Sequence, residues 1–355
     1  MKIAHLMIGN GWGGVQSFFR DCCIEMSKRG HSILAVVRID GWLFKVMSDH
    51  AGNLKLATVS NRFGNYDWST IRQFRRILNQ FDPDIVVSHG QRSTLFANKV
   101  KSADNSHWPQ VSLVQASLKQ KYYKGVDMLI PHTRSQANIE YHVDLINPNF
   151  SEVIPLFASI DPVEHPEKKS PIWKLFSAGR LHADKGYNYL LDAVRDLVAS
   201  GYELQLTIAG DGPEMTSLTR QRNTLGLENT VQFIGASDDV MPLMKSSDLF
   251  ILSSISETFG VVLLEAMASG LPIVATKTNG PLEILDDSSA VLVDSKSGKA
   301  LSQGIQVAMQ DTEATFQRAC VALDIYKECY TADVVVPKLI GVFQNCIDQH
   351  KSDGS

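Results

Sequence analysis

Cysteine is scarce in this 355-residue chain: Cys22, Cys23, Cys320, Cys329 and Cys346 make an odd set of five with no C-x-x-C pair. That argues against a disulfide-stapled scaffold and, with no histidine cluster at zinc spacing, against a structural zinc module. Reduced thiols in a cytoplasmic protein are the expectation. Long apolar runs are also missing. The best candidate, from Phe259 to Ala275, is interrupted by Glu265, Ser269, Gly270 and Pro272, whereas a spanning helix needs about 20 apolar residues. The N-terminal run breaks at Gly9-Asn10, short of a signal-peptide core and without a small-residue cleavage site. There is no disordered or collagen-like bias. With neither a dense basic stripe nor a reading motif, nucleic-acid binding has no support.

What is present reads as a soluble α/β chain, 44% apolar and 20% charged. The length implies two domains. Net charge is −4, unevenly spread: residues 1–165 carry 18 basic against 14 acidic side chains, or +4, and the rest 16 against 24, or −8. A basic first half suits an anionic membrane surface or a phosphorylated acceptor, although ordinary scatter also accounts for it.

Short apolar runs alternate with helical patterns almost throughout. Lys2–Ile8, Ile33–Val37, Ile85–Val87, Val111–Val114 and Met128–Ile130 read as strands. After a proline-rich, charged linker over residues 161–171 the alternation restarts, with strands near Leu175–Ala178, Leu204–Ala209, Thr230–Ile234, Leu249–Leu252, Pro272–Ala275 and Ala290–Val293. Helical patterns close the chain at Gly298–Met309, Glu313–Tyr326 and Ala332–Gln349. The fold class predicted is two doubly wound, Rossmann-like α/β domains, 1–165 and 166–350, with the helix near 332–349 able to pack back on the first. Ligands in such sheets sit beyond the carboxyl ends of the strands, so a cleft between two facing domains is the expected site.

The first loop places Gly9, Gly11 and Gly14 in G-x-G-x-x-G spacing between a strand and a helix, with Asp40 farther on. This is a dinucleotide-binding pattern and supports a dehydrogenase as a rival. Asp40 lies 26 residues past Gly14, farther than the usual interval of about 20, and Trp12 is bulky for a turn pressed on a pyrophosphate. Either way, side-chain-free backbone at Gly13 and Gly14 favours an anion at the helix start.

The second half carries more specific chemistry. G-R-x4-K-G puts Arg180 and Lys185 in one strand–helix loop, two cations able to neutralise a diphosphate leaving group. A turn at Gly210-Asp211-Gly212-Pro213 follows the next strand. In the segment from Ser253 to Gly270, Glu257 falls in a loop and Glu265 eight residues later in the following helix. Glu265 sits among apolar neighbours and needs hydrogen-bond partners; two vicinal sugar hydroxyls would serve. The helix start near Phe259–Val262 offers free N–H groups for a phosphate. Thr278 to Glu283 opens another helix. The plainer readings are solvated surface cations, a core acid paired with a base, and simple capping.

Together these residues resemble glycosyltransferase family 4, closely from Gly179 to Glu283 and more loosely before. The resemblance rests on G-R-x4-K-G, the E-x7-E pair, the run E-A-M-A-S-G-L-P-I-V-A-T and the N-G-P-L-E loop. It implies a GT-B fold and a retaining, metal-independent transferase using a UDP- or GDP-type sugar, with no resident cofactor. It implies that Arg180 and Lys185 hold the donor diphosphate. Glu257 would contact the transferred sugar, Glu265 the ribose, the backbone of Phe259, Gly260 and Val261 the β-phosphate and sugar, and the region of Ile234 the base. Gly13 and Gly14 would sit beneath the pyrophosphate, and His89 would touch the sugar. The acceptor implied is a glycan or a lipid-linked molecule in bacterial-type cell-surface polysaccharide or lipopolysaccharide assembly. Gln16, where many members carry an acid, and Asn279, where a glycine is frequent, depart from the pattern.

Residues 119–124, Lys-Gln-Lys-Tyr-Tyr-Lys, are basic and aromatic and suit peripheral docking at anionic headgroups; an exposed loop or helix face is the plainer reading. An epimerase or hydrolase of the same fold, or a non-catalytic sugar-nucleotide-binding protein, are the alternative functions.

Overall fold

A computed structural model of the chain describes residues 1–9, 11, 13–48, 53–61, 64, 67–104, 106–114, 122–140, 149–164, 173–237 and 239–353. Asn10, Trp12, residues 119–121 and linker residues 165–171 lie outside them. The chain forms two units: Met1–Ser159 with Ala332–Ser355, and Ile160–Thr331. The last helix therefore belongs with the first unit, and the division falls after residue 159, ahead of the proline-rich linker.

Unit 1 holds strands β1 (Lys2–Met7), β2 (Ser32–Arg38), β3 (Leu54–Val59), β4 (Ile85–His89), β5 (Gln110–Val114), β6 (Met128–Pro131) and β7 (Asn149–Phe150). They make one parallel sheet in the order β3-β2-β1-β4-β5-β6-β7. Its helices are α1 (Gly14–Lys28), α2 (Trp42–Met47), α3 (Trp68–Phe81), α4 (Gly90–Asp104), α5 (Arg134–Glu140) and, from the chain's end, α13 (Ala332–Asp353). The inner strands are buried along almost their whole length because both faces are covered, including the polar His5, Ser88, His89, Gln110 and Ser112. Residues of β1, β2 and β4 join Ile71, Phe74 and Leu78 of α3 and Phe96, Ala97 and Val100 of α4 in one core. Asp67 caps α3 by accepting from the N–H groups of Ser69 and Thr70, a contact worth about 1 kcal/mol. The chain leaves unit 1 at Ser159, whose Oγ donates to Glu25 Oε1 at 2.9 Å. It returns at α13, where Asp333 pairs with Arg29.

Unit 2 repeats the topology. Strands β8 (Trp173–Ala178), β9 (Leu204–Ala209), β10 (Val231–Phe233), β11 (Leu249–Leu252), β12 (Ile273–Thr276) and β13 (Val291–Val293) form a parallel sheet ordered β10-β9-β8-β11-β12-β13. Helices α6 (Tyr187–Ala199), α7 (Met215–Thr224), α8 (Met241–Lys245), α9 (Val261–Ala268), α10 (Asn279–Ile284), α11 (Gly298–Gln310) and α12 (Thr312–Cys329) connect and cover it. In each sheet the strand order reverses beside the first strand, between β1 and β4 and between β8 and β11. Crevices beyond the carboxyl ends of strands open at such reversals.

The loops at that edge of unit 2 are pressed together where glycine removes the side chain. A Cβ on Gly210 would lie 1.9 Å from the Gly179 carbonyl oxygen, on Gly212 2.3 Å from that of Leu181, on Gly186 2.2 Å from that of Ser253, and on Gly280 2.4 Å from that of Phe259. Gly341 in α13, by contrast, has open space around it. Gly210→Ala is therefore expected to cost about 1–3 kcal/mol of stability or more by overpacking. Gly341→Ala should add about 0.5–1 kcal/mol through helix propensity. Urea denaturation of the two variants checks both signs.

Candidate functional site

The β8–α6 loop in unit 2 starts at Gly179-Arg180 and ends in a short 3-10 turn, Ala183–Lys185, with Gly186 in the left-handed region. That conformation favours glycine. The loop is stitched to the one after β11: the Asp184 carbonyl accepts from the N–H of Ile255 (2.8 Å) and of Ser256 (3.2 Å). Ser253 Oγ donates to the Lys185 carbonyl at 2.9 Å. These backbone ties bring two side chains 72 positions apart into contact: Lys185 Nζ lies 2.5 Å from Glu257 Oε2, the side chains only 16% and 13% exposed. Screening is weak for such a pair, so each holds the other in place.

Arg180 leaves the same loop exposed to solvent; its carbonyl accepts from the N–H of His182 at 2.9 Å, and its guanidinium makes no ion pair or hydrogen bond with another described residue. Glu257 also passes its carbonyl to the N–H of Gly280 (2.9 Å), which ties the β12–α10 loop in. Gly260, at φ 93°, turns the chain into α9, whose first turn has no side-chain cap; the N–H of Leu263 donates to the Gly260 carbonyl at 2.8 Å, and those of Val261 and Val262 precede the first intrahelical bond. Phe259 is buried and stacks edge-on against Tyr330. Val261 and Glu265 are half-buried on α9. Ile234, 36% exposed, follows β10. Thus Arg180, Lys185, Ile234, Glu257, Phe259, Gly260 and Val261 all lie just past strand ends on the carboxyl edge of one sheet, and Glu265 follows on α9.

Sequence reading passes over the parts that support this edge: Asp184, Ser253 and Tyr187. Tyr187 is buried, and burial pushes its phenol well above the ordinary range while a hydrogen bond to Ser177 pulls the other way. The Ser253-Ser254 pair directly after β11 is the signal that could have flagged the loop.

Gly13, Gly14 and His89 lie in unit 1. Gly13 precedes α1, and its carbonyl accepts from Gln16 and Ser17. The Gln16 amide reaches back over the loop: a Cβ on Gly9 would meet its Nε2 at 3.1 Å and one on Gly13 its Oε1 at 3.6 Å. Asp40 binds Arg38 through two contacts, 2.8 and 2.5 Å, so the carboxylate of the dinucleotide reading already has a cationic partner.

His89 does not stand on an open surface. It is 1% exposed, bonded through Nε2 to His5 Nδ1 at 3.0 Å and flanked by Phe18 and Phe19. Burial drives His89 well below the usual imidazole range, aided by His5 and His132; it lowers His5 to about 3 and His132 to about 4. Tyr123 of the basic–aromatic stretch likewise turns inward, packing with Val114, Val126 and Leu129. A phenol in an apolar cluster cannot dock at headgroups, so that stretch does not present both its tyrosines.

Among the described residues, no group of three or more His, Cys, Asp or Glu side chains could hold a metal ion, and no helix is long and apolar enough to cross a membrane.

Two parallel sheets with one shared strand order, and a cation-bearing edge at a reversal point, define an α/β protein of GT-B fold. The comparisons agree. The family described as glycosyl transferases group 1 matches residues 161–320, nearly the whole of unit 2. The lipopolysaccharide core biosynthesis glycosyltransferase LpsE of Rhizobium meliloti is 25% identical over 326 residues, spanning 88% of this chain and 89% of its own. The crystal structure of Anabaena HepE in complex with UDP and glucose superposes with a TM-score of 0.83 at 19% identity, covering 97% of this chain and all of that one. WaaG, a glycosyltransferase involved in lipopolysaccharide biosynthesis, gives a TM-score of 0.73 at 17% identity over 96% and 99%. Residues 161–320 are thus similar to group 1 glycosyltransferases, and the whole chain shares the GT-B fold of HepE and WaaG.

The buried histidines set a pH dependence. Their folded forms stay neutral while the unfolded chain takes up protons from about pH 6.5 downward, so acid favours unfolding. The stability they permit is complete above that pH and is lost as pH falls toward 4. For His132 alone the loss at pH 5 is on the order of 2 kcal/mol. His132→Asn, which keeps a donor for the Ile154 carbonyl bonded by Nδ1 at 2.7 Å, should lose less stability between pH 7.5 and 5 than the parent. Urea midpoints at the two pH values measure the difference.

Proposed function

We propose that this chain is a retaining, metal-independent glycosyltransferase. It moves a hexose from a nucleotide-diphosphate sugar, most simply a UDP-sugar, to a glycan or lipid-linked acceptor in lipopolysaccharide or related cell-surface polysaccharide assembly. The observation that carries this reading is the Lys185–Glu257 contact beside the unpaired Arg180 at the edge of unit 2. An ammonium has three donors, so Lys185 can keep Glu257 and still reach a phosphate oxygen. Arg180 offers a planar fork that suits bidentate phosphate contacts. With the uncapped start of α9, the edge supplies fixed positive charge where the leaving diphosphate gains negative charge, without a divalent ion in the role. Glu257 then orients a sugar hydroxyl, Glu265 the ribose, and Ile234 lies under the base. No resident cofactor enters this scheme.

Support for the donor comes from Anabaena HepE, solved with UDP-glucose. Support for the pathway comes from LpsE and LpsD, both lipopolysaccharide core biosynthesis glycosyltransferases of Rhizobium meliloti. The cytoplasm, where nucleotide sugars are made, is the location that fits such a donor.

Arg180→Ala and Lys185→Ala should each lower turnover by roughly tenfold or more; unchanged rates in both would refute the assignment. UDP-sugars should raise the melting temperature of the parent protein by binding only the folded state. A thermal-shift series with UDP-, GDP- and ADP-sugars reads the base preference directly.

A further inference from the structure

We propose that Tyr187 is a positioning residue for the donor: its buried phenol fixes the backbone root of Arg180, and so sets where the guanidinium meets the outer phosphate of a nucleoside diphosphate. The proposal rests on the donor reading above and adds to it a residue that touches no substrate.

Arg180 poses a problem of placement. Its side chain is exposed and its guanidinium has no partner among the described residues, so nothing along the side chain fixes its position. That information comes from the main chain at Gly179-Arg180. Toward β9 the main chain is well held. The Gly179 N–H donates to the Ala209 carbonyl at 3.0 Å and the Leu181 N–H to that of Asp211 at 2.9 Å, and a Cβ on Gly210 would fall 1.9 Å from the Gly179 carbonyl oxygen. In the direction a side chain would take from Gly179 stands one polar atom: a Cβ there would meet Tyr187 Oη at 3.1 Å.

The phenol is itself anchored. Tyr187 is 4% exposed and opens α6 directly after left-handed Gly186. It is hydrogen-bonded to Ser177, whose Oγ donates to the Ile251 carbonyl of β11 at 2.7 Å. A serine hydroxyl has one hydrogen; that of Ser177 goes to Ile251, so the phenol donates to Ser177. The hydrogen bonds run from the end of the β8–α6 loop, across β8, to the strand that leads to Glu257, and such chains polarise and reinforce one another. Burial first, and the Glu257 and Asp184 carboxylates after it, keep the phenol protonated, so it acts as a strut and not as an acid or base. Removing its oxygen loosens the Arg180 end of the loop alone. The Lys185 end keeps its own ties, Asp184 to Ile255 and Ser253 to Lys185.

The test is calorimetric binding of UDP, and of UMP, which lacks the outer phosphate, to the parent, Tyr187→Phe, Arg180→Ala and the double variant. Where the thermal-shift series selects another base, its di- and monophosphate take their place. Tyr187→Phe keeps the ring and its packing. It is expected to weaken UDP by about fivefold or more and UMP by less than about twofold, because a misplaced group matters only where it is used. The double variant should bind UDP within about twofold of Arg180→Ala alone, since residues that act through one another are not additive. A phenol that only stabilised the fold would weaken both ligands alike, and its loss would multiply with that of Arg180. Should circular dichroism show that Tyr187→Phe does not fold, Ser177→Ala, which removes the phenol's acceptor and leaves Tyr187 in place, is judged by the same criteria. An unchanged ratio of UDP to UMP affinity, or losses that multiply with Arg180→Ala, would overturn the proposal and leave the donor reading standing. A parent that binds no nucleoside diphosphate, or UDP binding that Arg180→Ala leaves unchanged, would overturn the donor reading and this proposal with it.

Discussion

The structure around the candidate site depends on backbone approaching backbone in unit 2. Four glycines, Gly186, Gly210, Gly212 and Gly280, each sit where any Cβ would fall within 2.4 Å of a carbonyl oxygen from a neighbouring loop. The loops after β8, β9, β11 and β12 therefore cannot drift as separate flexible connections. They form one layer whose spacing is set by main-chain contact. Hydrogen bonds lock the spacing from within: Gly210 donates to the Gly235 carbonyl at 2.7 Å and Leu181 to that of Asp211 at 2.9 Å. Side chains on such a layer inherit its rigidity, which is what preorganised electrostatics requires.

Charge is arranged on that layer with one pair satisfied and one cation open. Lys185 and Glu257 compensate each other, so neither is left as an isolated, largely enclosed charge. Arg180 stays exposed to solvent. With Glu257 engaged by Lys185, the exposed Arg180 guanidinium is the group of this pair of loops left to meet an incoming anion in the proposed reading.

Much of this was legible in the sequence, for identifiable reasons. Strands buried on both faces appear as short unbroken apolar runs, so β1, β2, β4, β5 and β6 and all of unit 2's strands fall close to where the runs do. β3, Leu-Lys-Leu-Ala-Thr-Val, escaped because it lies at the sheet edge and exposes Lys55, which dilutes its apolar signal; β7 is two residues long. Helix starts at Gly14 and Gly298 could be read from the glycines and polar residues before them. The charged site residues were legible as loop positions after strands, but their pairing was not. Lys185 meets Glu257, and His89 meets His5, through the register of a sheet that brings residues 72 and 84 positions apart together. Whether a side chain at a strand end turns inward, as His89 and Tyr123 do, depends on what the other elements place beside it, and spacing carries no record of that.

Helix α1 joins these features within unit 1. Its N-terminus takes off from the glycine loop, under the amide of Gln16. Its middle sets Phe18 and Phe19 against His89, with His132 5.3 Å from the Phe18 ring. Its last turns hold both places where the chain passes between the units, Ser159 through Asp21 and Glu25 and Asp333 through Arg29. Glu25 is kept below its ordinary range by Lys28, Arg29 and Ser159 despite the opposing effect of burial, so this anchor is ionic at neutral pH. Helix α1 thus packs its histidine–phenylalanine layer between the glycine loop at one end and the side chains that hold Ser159 and Asp333 toward the other, all within unit 1.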